Sequence, residues 1–116
     1  MKKFLILYCA PVAVIEEWMK SAPEDRKAEE DKMKAKWDDW MMKHKPAMKE
    51  TAGAGKTKLV TKEGIMDTKN DIMLFSIVEA ESHEAAAQLF EGHPHFDIPE
   101  ASIQVMPVNY LPGMAE

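Results

Sequence analysis

Two segments of this chain alternate with apolar residues on both faces, and this limits the folds open to it more than any other feature. In Lys3–Cys9, Phe4, Ile6 and Tyr8 point one way and Leu5, Leu7 and Cys9 the other. In Asp71–Ala80, Ile72, Leu74, Ser76, Val78 and Ala80 oppose Met73, Phe75, Ile77 and Glu79. A strand apolar on both sides is an inner strand, flanked by other strands and covered on both faces.

Between and after these strands the pattern changes period. Ala10-Pro11 breaks the first strand, and Val12–Lys20 reads as a short helix. Ser21-Ala22-Pro23-Glu24 carries the signals of a helix start. The helix is expected to run to about Met48, with Met33, Trp37, Trp40, Met41, His44 and Met48 as a narrow stripe and Pro46 as a kink or stop. Thr51–Gly55 reads as a turn or irregular strand entry. Lys56–Lys62 is a short polar edge strand, and Glu63–Asn70 a polar connection. Ser82 caps a helix to about Glu91 that Gly92 ends, His93–Ala101 is a loop, and Ser102–Val108 is the last strand.

Strand, helix, strand, strand, helix, strand predicts an α+β chain with a ferredoxin-like βαββαβ fold and a four-stranded antiparallel sheet, in one domain over residues 1–116. In that arrangement the first and third strands are central, as their two-sided apolarity requires. Two helices cover only one face, so the other face is expected to meet a second copy of the same sheet in a homodimer.

Charge narrows the partners. The net charge is −5, divided as +1 over residues 1–50 and −6 over residues 51–116. A binder of duplex nucleic acid carries a basic face, so no nucleic-acid partner is expected. No apolar run is long enough for a transmembrane helix, and no membrane partner is expected. The apolar start resembles a short signal peptide, but Tyr8 and Pro11 interrupt it and no small-x-small cleavage site follows. A single cysteine, Cys9, fits a reducing compartment, and a cytoplasmic location is expected.

Three motifs bear on chemistry. Gly53-Ala54-Gly55-Lys56-Thr57 looks like the end of a phosphate-binding loop, but Glu50 stands where that loop needs glycine, and a helix precedes it where a strand is required. His93-Pro94-His95-Phe96-Asp97 gathers two imidazoles and a carboxylate. Such a loop can be structural, can form a small-molecule site, or can hold a metal; no further spaced ligands are evident, so no metal and no cofactor are expected. His95 is the first candidate for a ligand-facing group, because Pro94 stiffens its approach. His93 is then a cap or turn residue, and Asp97 the partner that orients the ring. Trp40 and His44 on the long helix, with Tyr8 at the end of a central strand, are candidate ligand-binding residues; at helical spacing the tryptophans and methionines also read simply as core.

The segments Lys2–Tyr8, Ile77–Ala86 ("IVEAESHEAA"), Gly92-His93-Pro94-His95 and Ser102–Val108 ("SIQVMPV"), in this order, resemble the YCII-related family. That family is similar to the dimeric α/β-barrel superfamily, which includes muconolactone isomerases and cofactor-free monooxygenases. The resemblance implies a dimer and a cleft between sheet and long helix. Only His93, His95 and Asp97 fall near the loop that carries the histidine–aspartate arrangement of some relatives. The resulting expectation is a small-molecule-binding protein. An isomerase, lyase or cofactor-free oxygenase acting on an apolar or aromatic metabolite fits it, with His93, His95 and Asp97 catalytic. The alternative is a non-catalytic dimeric binding or accessory module.

Overall fold

A computed structural model describes residues 1–114. The elements are β1 (Lys2–Cys9), α1 (Val12–Met19), α2 (Pro23–Lys43), β2 (Met48–Gly53), β3 (Thr57–Thr61), β4 (Gly64–Thr68), β5 (Ile72–Ala80), α3 (His83–Gln88), a 3-10 turn (Pro94–Asp97) and β6 (Ser102–Pro107). The main sheet is antiparallel with order β2-β5-β1-β6, so the chain is α+β and β1 and β5 are the central strands. This order is consistent with the split arrangement expected from the sequence.

The register sorts the side chains. Phe4, Ile6 and Tyr8 of β1 stand opposite Val78, Ser76 and Leu74 of β5, and Ile103 and Val105 of β6 join the same face. Phe4, Ile6, Tyr8, Ser76 and Val78 are fully buried there, against Trp40, Ala86 and Phe90. The other face, with Leu5, Leu7, Phe75, Ile77 and Met106, is only half-buried. Core formation is therefore one-sided: helices supply the cover on one face, and the apolar stripe on the other stays partly in water.

Trp40 is the one buried residue of α2, and the charged first half of that helix is exposed. Pro23 occupies the first turn, but the residue before it, Ala22, makes no side-chain cap, so Ser21 does not fulfil the capping role expected of it. Ser82 does cap α3, its hydroxyl accepting from the Ala85 amide at 3.0 Å.

The structure corrects the middle of the chain. Helix α2 ends at Lys43, short of Met48. The amides of Ala47 and Met48 close a turn on the His44 carbonyl, with Pro46 inside that turn. Met48–Gly53, expected as helix end and turn, is the edge strand of the main sheet. Met-Lys-Glu-Thr-Ala is rich in good helix formers, and pairing with β5 overrides that local preference. The strand expected at Lys56–Lys62 is the first arm of a separate hairpin. The polar connection Glu63–Asn70 holds its second arm, Gly64–Thr68. Gly53–Thr57 therefore joins two strands, and no helix begins there to face a phosphate.

Candidate functional site

The loop after α3 brings the two loop histidines into the core. Gly92, at φ 70°, takes the left-handed conformation that turns the chain back toward the sheet. His93 and His95 are each 1% exposed. They sit in a cage of aromatic rings. His93 meets Trp37 edge-on with centroids 4.5 Å apart and Trp40 at 4.4 Å, and Tyr8 lies 5.5 Å from His93 and 5.6 Å from His95. The stripe of α2, the end of β1 and the histidine loop thus converge on one place, with Trp37 and Phe90 completing it.

Hydrogen bonds fix which nitrogen carries each proton. The amide of His95 donates to Nδ1 of His93 at 2.9 Å, so that nitrogen bears the lone pair and the proton of the neutral ring is on Nε2. Nε2 of His93 is buried and has no hydrogen-bond partner. Nε2 of His95 instead donates to the carbonyl of Cys9 at 2.8 Å, pinning the loop to the end of β1. His95 is therefore a strut, and the ring with a free polar atom is His93. His93 is also the cap residue expected of it, at the start of the 3-10 turn.

Burial sets the electrostatics. His93 is pushed down to about 4, first by loss of water and then by its imidazole neighbours His95 and His44. His95 is also lowered by burial, with its backbone partners at Cys9 and Ser102 opposing the shift. Both rings are neutral at pH 7. Tyr8 rises to about 12 because burial disfavours phenolate, and its bond to Ser76 only partly offsets this.

Besides His95, expected as the ligand-facing group and found as a strut, two more expected roles change. Asp97 does not orient either histidine. Its carboxylate is half-exposed and pairs with Lys36 of α2 at 2.6 Å, which holds it below the usual carboxylate range. Tyr8, a candidate ligand-binding residue at the end of its strand, does not reach the surface. It is fully buried, and its hydroxyl shares a hydrogen bond with Ser76 Oγ at 2.8 Å, while Ser76 meets Thr51 Oγ1 at 2.7 Å. His44 lies at the C-terminus of α2, stacked on Trp40 at 4.1 Å with Nδ1 on the Trp40 carbonyl. It supports the cage from behind.

Ser76 and Thr51 were not anticipated. The signal was available: Ser76 is the single polar residue on the inner face of an apolar strand, and such a residue needs a partner. We expect Ser76→Ala to cost about 1–3 kcal/mol, because it strands the Tyr8 hydroxyl in the core. The double variant Tyr8→Phe/Ser76→Ala should cost less than the two single losses added, which denaturant melts of the three variants will read.

Outside the cage, grooves run along α2. One of about 300 Å³ is lined by Trp40, Gly92 and Pro94, and one of about 920 Å³ by Val14, Trp18 and Met33; the Lys36–Asp97 pair borders both. Among the described residues no three His, Cys, Asp or Glu side chains gather to hold a metal, and no helix is long and apolar enough to cross a membrane. No protein-family model and no curated protein matches the chain.

Proposed function

We propose that this chain binds a small apolar or aromatic metabolite in the cleft between sheet and long helix, as one subunit of a homodimer of the dimeric α/β-barrel kind. The observation that carries the reading is the Nε2–H of His93, buried among Trp37, Trp40 and Tyr8 without an acceptor. An unpaired buried donor is costly, and a ligand oxygen would satisfy it. The groove walled by Trp40, Gly92 and Pro94 adjoins this cage, and the Lys36–Asp97 pair borders it. The YCII-related resemblance points the same way.

The chemistry that suits such a site follows from its protonation. A neutral imidazole with its lone pair already engaged is a poor base, and His93 offers only its proton. It would stabilise an enolate or other oxyanion by hydrogen bonding, in a place where water does not compete. That fits an isomerase, lyase or cofactor-free oxygenase better than a hydrolytic nucleophile. Both sheet faces of β1 and β5 are apolar, and the helix-free one is the surface for the second copy.

A second reading has its own support. His95 is bonded to Cys9 and His93 caps the 3-10 turn, as in a purely structural loop of an accessory module. Native mass spectrometry against a metabolite extract, followed by His93→Phe, separates the two. We expect a retained ligand whose affinity drops at least about tenfold in His93→Phe, the cost of one lost hydrogen bond or more. The variant should stay folded with its oligomeric state unchanged, losing only about 1 kcal/mol because the His95 amide loses its acceptor. Full affinity in the folded variant leaves the structural reading standing.

A further inference from the structure

The hairpin β3–β4 takes no part in the candidate site. It is a two-stranded sheet apart from the main one, and an isolated hairpin is marginal in water. Its cross-strand pairs put apolar side chains on both faces. Val60 and Ile65, opposite one another, are each 71% exposed, and Leu59 and Met66 on the other face are 44% and 57% exposed. The chain is correspondingly extended, with a radius of gyration of 16.3 Å, against about 13 Å for a compact domain of this length. Lys69 ties the root of the hairpin to Glu16 of α1 at 2.9 Å.

We propose that this hairpin is an arm that packs on a second copy of the chain. The identity of the partner follows from charge. Residues 56–69 hold Lys56, Lys58, Lys62 and Lys69 against Glu63 and Asp67, a net of +2. Residues 70–116 hold eight acidic residues and no lysine or arginine, a net of −8. The chain therefore presents its own acidic complement, with Glu81, Glu84, Glu91 and Glu100 all exposed. The arm does not fold back onto that surface in its own subunit, since its apolar residues stay in water. The arm also grows from the border of the sheet whose half-buried face is the proposed dimer surface: the Ala54 amide continues the β2–β5 ladder by bonding the Met73 carbonyl at 2.9 Å. A face-to-face dimer thus carries each arm to the edge of its partner. There the arm adds apolar contact to a flat interface, and Lys56 and Lys62 meet carboxylates, while Lys58 stays with Asp67 and Lys69 with Glu16.

This inference rests on the sheet-face dimer, and the test treats the two separately. Dimer dissociation is measured by sedimentation for the full chain, for Phe75→Glu on the sheet face, and for Val60→Thr/Ile65→Thr on the arm. Threonine keeps the strand preference while removing most of the apolar surface. We expect a wild-type dimer, a monomeric Phe75→Glu, and an arm variant that dissociates at least about thirtyfold more readily, the effect of a central contact, with unchanged circular dichroism. In a mixture of isotopically light and heavy chains, zero-length carbodiimide coupling should join arm lysines to carboxylates of residues 70–116 in light–heavy pairs. A monomeric wild type overturns both ideas. A dimer that Phe75→Glu disrupts but the arm variant leaves intact, with arm lysines coupled only within one chain, overturns the arm alone.

Discussion

Trp40→Ala should be the most destabilising single truncation in the helical layer, at about 3–5 kcal/mol, with a fall in Tm of more than about 10 °C. The reason is its position. Helix α2 has one buried residue, and that residue stacks on His44 at 4.1 Å and Phe90 at 5.3 Å and meets His93 at 4.4 Å. Removing the indole opens a cavity between helix, sheet and histidine loop at once. The surviving surface contacts of α2 cannot compensate. Lys27–Asp31, Lys34–Asp38 and Lys43–Asp39 are exposed pairs within one helix, screened by water and worth little. Chemical denaturation reads the loss directly, and a cost below about 1 kcal/mol would show that α2 is held by something other than this contact.

The same residue shows how far the sequence could be read. Trp37, Trp40 and His44 recur at the helical period, so their common face was legible, as were the two central strands from their two-sided alternation. Ser82 as a cap was legible because it is a local device, whereas α3, expected to run to about Glu91 and stop at Gly92, ends at Gln88, and Gly92 instead turns the loop behind it. What was not legible depends on contacts distant in the chain. Met48–Gly53 carries helix-forming residues, and only its pairing with Leu74–Val78 makes it a strand. The hairpin's second arm, Gly-Ile-Met-Asp-Thr, is short and half polar, so it reads as connection until it is paired with Thr57–Thr61. In the candidate site, the motif His-Pro-His-Phe-Asp pointed to the loop that enters the aromatic cage but not to the contacts within it. Asp97 follows the histidines closely in the chain, yet the 3-10 turn points it outward to Lys36. Which imidazole was free could not be read either, because the bond that occupies His95 comes from Cys9, at the far end of the chain.

Acidification should destabilise the fold well before the carboxylates titrate. A histidine ordinarily titrates near 6.5, and burial holds His93 at about 4 in the folded chain. Between these values the unfolded chain binds a proton that the folded chain refuses, so stability rises with pH through this window and is complete above about 6.5. Between pH 7.5 and pH 5.0 His93 alone should remove about 2 kcal/mol. His95 acts in the same direction, since its burial also lowers it. The lowered carboxylates Asp97 and Glu16 are exposed and lose their partners only at more acid pH, so they do not shape this range. Denaturant melts of the wild type and of His93→Phe at pH 7.5, 6.0 and 5.0 test the assignment. Phenylalanine keeps a ring in the cage and removes the unpaired donor, while the His95 amide loses its acceptor at a cost of about 1 kcal/mol at every pH. The variant should therefore start somewhat less stable at pH 7.5 and lose distinctly less on acidification, so that the two stability curves converge or cross toward pH 5.0. Parallel curves would mean that the cage does not hold His93 neutral.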